Sequence, residues 1–129
     1  MALILIVDDD PDVLALLEIM LRMHGHTVIK TRDGGEVVEL ALKHKPDLVI
    51  TDIMMPGVTG GSVYQMIRAH IGASLPVIVS SGTKMRVVAK GDPLLAHCPK
   101  PVDQSRMLET IERLCRKKKN RDDQSPPGS

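Results

Sequence analysis

At 129 residues, with 43% hydrophobic and 26% charged side chains, the chain suits one domain around a single buried core and departs from disordered or collagen-like composition. The net charge of +1 conceals five cations between Arg116 and Arg121, so the chain through residue 115 carries 12 basic against 14 acidic side chains and offers no cationic footprint for nucleic acid. Tyr64 is the only aromatic, which excludes a stacking platform for single strands, and the longest apolar run, Met1 to Val7, is too short for a membrane span and lacks the marks of a secretory leader.

Leu3 to Val7 reads LILIV and is closed by three aspartates, the pattern of a strand buried on both faces. Asp10 and Pro11 supply an N-cap and a first-turn proline, after which Val13, Leu14, Leu17, Met20 and Leu21 recur at helical spacing up to His24 and Gly25. Thr27 to Thr31 predicts a second strand. Asp33 with Glu36 has the form of a capping box before Val37, Val38, Leu40, Ala41 and Leu42. Leu48 to Thr51 predicts strand three, ended by Asp52 and a loop with Pro56, Gly57, Gly60 and Gly61; Val63, Met66, Ile67 and Ile71 mark helix three. Pro76 to Ser80 and Leu94 to Cys98 read as strands four and five. Between them only Met85 to Lys90 has helical character, so the fourth helix is expected to be short or irregular. Met107, Leu108, Ile111, Leu114 and Cys115 form a last amphipathic helix.

Strands alternating with helices imply a parallel sheet with right-handed crossovers and helices on both faces. The expected fold is an open α/β sandwich over residues 1–117, followed by a disordered polar tail at 118–129 that ends in QSPPGS. Cys98 and Cys115 have no zinc or disulfide spacing and read as free thiols. A soluble, cytoplasmic protein is the expectation.

Open parallel sheets bind ligands outside the carboxyl ends of their strands, where strand order reverses. Strand one ends in Asp8, Asp9 and Asp10, strand three in Asp52, strand four in Ser80 and Ser81, and strand five runs into Lys100 between two prolines. Converging carboxylates either raise a pKa or hold a cation, and a hard divalent ion such as Mg²⁺ suits oxygen ligands. Asp10 reads as a cap alone.

The VDD ending strand one, the segment DIMMPGVTG from Asp52 to Gly60, Ser81 and the Lys100-Pro101 pair resemble, in order and place, the receiver domain of two-component response regulators, across roughly residues 3–115. The resemblance implies a five-stranded sheet in the order 2-1-3-4-5 and transfer of a phosphoryl group to Asp52 from a partner histidine kinase or phosphotransfer protein. It further implies Mg²⁺ held by Asp8 (through water), Asp9, Asp52 and the Met54 backbone carbonyl, with Lys100 as a second cationic contact. Ser81, followed by the small Gly82, takes the place of the hydroxyl that answers phosphorylation and passes the change to the face formed by the fourth helix, strand five and the last helix. Lys100-Pro101 corresponds to a frequently cis peptide in that family.

Three features depart from the family pattern: His97 stands where an aromatic switch residue is usual, Pro99 removes a backbone donor, and the stretch from Ser81 to Lys100 is short. His97 is thus a candidate switch residue, and a receiver-fold binding module that phosphate does not switch is the alternative reading. The downstream protein is not identified by the sequence. With no domain following the last helix, a single-domain regulator is the simplest expectation. Asp8 and Asp10 also form the DxD of haloacid-dehalogenase-like phosphatases, but Asp12 replaces the Thr or Val expected there. An EF-hand reading fails because Val13 and Ile19 occupy the Gly and bidentate Glu positions.

Overall fold

The computed structural model describes residues 1–52, 60–81 and 91–123, with residues 60–62, 81 and 120–123 described by their backbone alone. Five strands, β1 (Leu3–Val7), β2 (Thr27–Thr31), β3 (Leu48–Asp52), β4 (Val77–Ser81) and β5 (Leu95–Pro99), pair in parallel in the order β2-β1-β3-β4-β5. The helices are α1 (Pro11–Met23), α2 (Val37–His44), α3 (Gly60–His70) and α4 (Gln104–Asp123), the last corresponding to the final amphipathic helix expected from sequence. Segment 85–90, the expected short helix, lies outside the described residues, as does the Met54 carbonyl.

Alternation along the strands divides the core into two layers. Ile4 and Ile6 of β1, with Ile50 and Ile78, pack against Leu14, Leu17 and Leu21 of α1 and Met107, Ile111 and Leu114 of α4. Leu5 and Val7, with Val49, Val77 and Val79, face Val37 of α2 and Val63, Tyr64 and Ile67 of α3. Removing one of the fully buried side chains, such as Ile6, costs about 2–5 kcal/mol by loss of transfer energy and creation of a cavity. The sheet thus holds the register that brings Asp8 and Asp52 to the same end: Val7 pairs with Thr51, and Asp52 with Ser80.

Local chemistry fixes the helix entries. Asp10 caps α1 by accepting the Asp12 N–H at 2.9 Å, and Pro11 occupies the first turn. The capping box expected from Asp33 and Glu36 does not close. Asp33 instead caps a 3-10 turn at Gly34–Glu36 through the Gly35 N–H (2.8 Å), its own N–H donates to Thr31 Oγ1, and the Glu36 carboxylate accepts the Thr31 hydroxyl. Thr31, buried at the end of β2, therefore takes the donor that the box would have used.

The expected boundary at residue 117 falls inside α4, which continues to Asp123. The apolar periodicity stops at Cys115, but Arg and Lys from 116 onward are good helix formers and no Gly or Pro intervenes before Pro126, so the helix runs on. β5 is an edge strand, where the missing N–H of Pro99 leaves the sheet intact. Among the described residues, no helix is long and apolar enough to cross a membrane.

Candidate functional site

Asp8 follows β1 and is 2% exposed; Asp52 ends β3 and is 6% exposed. Lys100, just beyond β5, reaches back across the sheet end and donates from Nζ to Asp8 Oδ2 at 2.8 Å and to Asp52 Oδ2 at 3.0 Å. The second oxygen of Asp8 accepts the Asp10 N–H at 2.9 Å, which orients the carboxylate from its own turn. Asp9 is half-buried, and its carbonyl accepts from Arg32 Nε at 3.1 Å. Ligand oxygens of Asp8, Asp9 and Asp52 all lie within 4.8 Å of one another. The Lys100–Pro101 peptide is cis.

Burial raises the pKa of Asp8 above the ordinary carboxylate value, and the hydrogen bonds from Lys100 and the Asp10 N–H only partly offset it. For Lys100, burial is the largest influence and opposes the ammonium, but the hydrogen bonds and charges of Asp8 and Asp52 together hold its pKa above the usual lysine value. Among the described residues, three carboxylates share this pocket with the Lys100 ammonium. Three close carboxylates, all hard oxygen donors, fit a small divalent cation, which would relieve the cost of burying Asp8.

The residues expected from sequence divide by position. Asp8, Asp9, Asp52 and Lys100 are brought together. Asp10 stays apart, exposed, as a cap. Ser81 closes β4 opposite Pro99, with only its backbone described. His97 pairs in register with Val79 and lines a groove of about 310 Å³ with Arg106, Glu109, Thr110 and Arg113. The neighbouring Ser80, opposite Asp52, is buried, with no partner for its hydroxyl among the described residues.

A cluster at the entry to β5 was not anticipated. The Tyr64 hydroxyl and Arg68 Nε (2.9 Å) both donate to Asp92 Oδ2, Leu94 N–H donates to Asp92 Oδ1 (2.9 Å), and Arg68 Nη1 donates to the carbonyls of Gly72 and Leu75. The Arg68 guanidinium also lies 5.0 Å from the Tyr64 ring centre. Tyr64 as the lone aromatic and Arg68 four residues on were visible in the sequence, but nothing local linked them to Asp92.

A doubly wound parallel sheet, with an acidic pocket and a lysine at the carboxyl ends of its strands, defines an open α/β domain with its charged cluster where such sheets bind ligands. Residues 4–112 match the response regulator receiver domain, and the chain belongs to that family of two-component signalling proteins. It is 39% identical over 115 residues to "Protein PilH" of Pseudomonas aeruginosa, covering 86% of this chain and 95% of PilH. Of other curated relatives the chain spans 33% to 53% of the length. Among solved structures it is similar to the signal receiver domain of a modulated diguanylate cyclase from Desulfovibrio desulfuricans (28% identity, TM-score 0.81, 94% of this chain and 98% of that one). It also shares the fold of a response regulator receiver domain protein from Clostridium thermocellum (24% identity, TM-score 0.85, 93% and 98% covered). The family places this chain in phosphorylation-based signalling.

Proposed function

We propose that Asp52 is the phosphoacceptor of this receiver domain and that it takes the phosphoryl group from the phosphohistidine of a sensor kinase or phosphotransfer protein. The observation that carries this reading is the Lys100 ammonium shared between Asp8 and Asp52 at 2.8 and 3.0 Å. An Asp52 oxygen attacks phosphorus, the P–N bond breaks, and the departing imidazole keeps the electron pair and takes up a proton; the product is an acyl phosphate. Lys100 then supports the incoming phosphoryl oxygens, because it already stands within hydrogen-bonding distance of the nucleophile.

Asp8, Asp9 and Asp52, with the Met54 backbone carbonyl, are the groups that would hold Mg²⁺. When bound, that ion supplies positive charge against the phosphoryl oxygens. The response passes from the Ser81 hydroxyl to the face of β5 and α4, where His97 stands at the groove with α4. A downstream protein reads that face.

Incubation with acetyl phosphate and Mg²⁺, followed by intact mass, tests the reading. One added phosphoryl group, lost on mild alkaline treatment and absent from Asp52→Asn, is the expected result. Phosphate that persists on Asp52→Asn and disappears from Asp8→Asn would move the nucleophile to Asp8. No incorporation into the unaltered chain would favour a binding module that keeps the fold without the switch, the reading to which the departures at His97 and Pro99 lend weight.

A further inference from the structure

At the opposite end of the sheet from Asp8, Asp52 and Lys100, the residues leading into β1 and β2 and those of α4 line an open pocket of about 480 Å³. That volume lies within the range of small-molecule sites. The half-buried Ala2 and Leu108 and the buried Ile111 give it an aliphatic lining, while Arg116 and Lys119, exposed and three residues apart, sit on one face of α4. His26 joins them from the entry to β2. Its Nδ1 accepts the Ala2 N–H at 3.1 Å, so the neutral ring carries its proton on Nε2 and remains a donor.

The lining selects a chemistry. Two permanent cations are set against one carboxylate, Glu112, so the pocket favours an anion. Tyr64, the only Phe, Tyr or Trp of the chain, packs in the other core layer, so apart from the imidazoles of His24 and His26 the lining offers an organic ligand aliphatic carbon rather than a broad aromatic face. We propose that this pocket binds a small aliphatic anion, a medium-chain carboxylate or an alkyl phosphate monoester, with its chain against Ala2, Leu108 and Ile111 and its head group at Arg116 and Lys119. The pocket shares no residue with the carboxylates and lysine around Asp52.

Octanoate and octyl phosphate are the probes, titrated into the full chain and followed by amide chemical shifts, with octanol as the uncharged control. The expected result is saturable shifts around Ala2, His26 and residues 108–119, with a Kd of about 1 mM or tighter for at least one anion and binding of octanol weaker by about tenfold or more. The double variant Arg116→Glu, Lys119→Glu, whose sites are exposed, should stay folded, with an unchanged far-ultraviolet circular dichroism spectrum, and lose about tenfold in affinity. Cys115, a half-buried thiol of the same pocket, gives a second readout: the bound anion should slow its alkylation by iodoacetamide.

Absence of saturable shifts with both probes would overturn the proposal, as would octanol binding as tightly as octanoate or affinity unaffected by the charge reversal. Sedimentation with phosphatidylglycerol vesicles that depends on Arg116 and Lys119, without octanoate or octyl phosphate binding, would assign the cations to a membrane surface and equally overturn it.

Discussion

Asp8 carries a clear electrostatic cost, a carboxylate buried beside Asp9 and Asp52 and sharing the Lys100 ammonium with Asp52. Because burial raises its folded-state pKa above the ordinary 3.8, the cost is absent at low pH, where both folded and unfolded chains hold the proton. It grows as pH rises through the folded value. Asp8→Asn, which retains the shape and an acceptor for the Asp10 N–H, is therefore expected to raise Tm by a few degrees at pH 7. The gain should fade below about pH 4, as thermal melts across that range would show. An increment independent of pH would mean that packing, not charge, is responsible.

At the scale of elements, Asp92 ties the turn before β5 to α3 through Tyr64 and Arg68. Burial alone would raise its pKa, but the hydrogen bonds from Arg68, Tyr64 and the Leu94 N–H outweigh it and hold the carboxyl below the ordinary value. Its stabilising contribution is complete above pH 3.8 and is lost as pH falls through the folded value. Asp92→Ala should cost about 1–3 kcal/mol at pH 7, since it leaves a guanidinium and a phenol without their shared acceptor. Urea unfolding should show the gap between variant and wild type closing near pH 3. This clamp fixes the start of β5, and with it the path that leads to Lys100.

For the whole molecule, two consequences follow from an acidic pocket at one end of a single sheet. Mg²⁺ should raise Tm by mass action, with the increase growing as the ion approaches saturation and largely lost in Asp52→Asn. A melting temperature that stays flat across the titration would count against cation binding by Asp8, Asp9 and Asp52. The second concerns transmission. If Asp52 is the phosphoacceptor and Ser81 the trigger, Ser81→Ala, which leaves Asp52, the other carboxylates and Lys100 in place, should still accept phosphate while losing most of the phosphorylation-dependent hydrogen-exchange change expected between residues 85 and 111. If the imidazole of His97 is the moving part, that change will also depend on pH between about 5 and 8. Exchange changes confined to the surroundings of Asp52 in wild type would show that the switch does not reach β5 and α4.

Short-range pattern alone made the strands and the capping of α1 legible, because LILIV or Asp10-Pro11 encodes its conformation within a few residues. Strand ends marked by Asp8, Asp52 and Lys100 also pointed to one edge of a parallel sheet, and the resemblance to receivers supplied the strand order. Contacts between distant residues needed the tertiary structure. Lys100 lies 92 residues from Asp8 and 48 from Asp52, and only the packed sheet brings its ammonium to 2.8 and 3.0 Å from them. Asp92 meets Tyr64 and Arg68 across 28 and 24 residues, so no local pattern joins them. Periodicity records which face of an element is buried; it carries no record of which polar groups meet once those faces are packed.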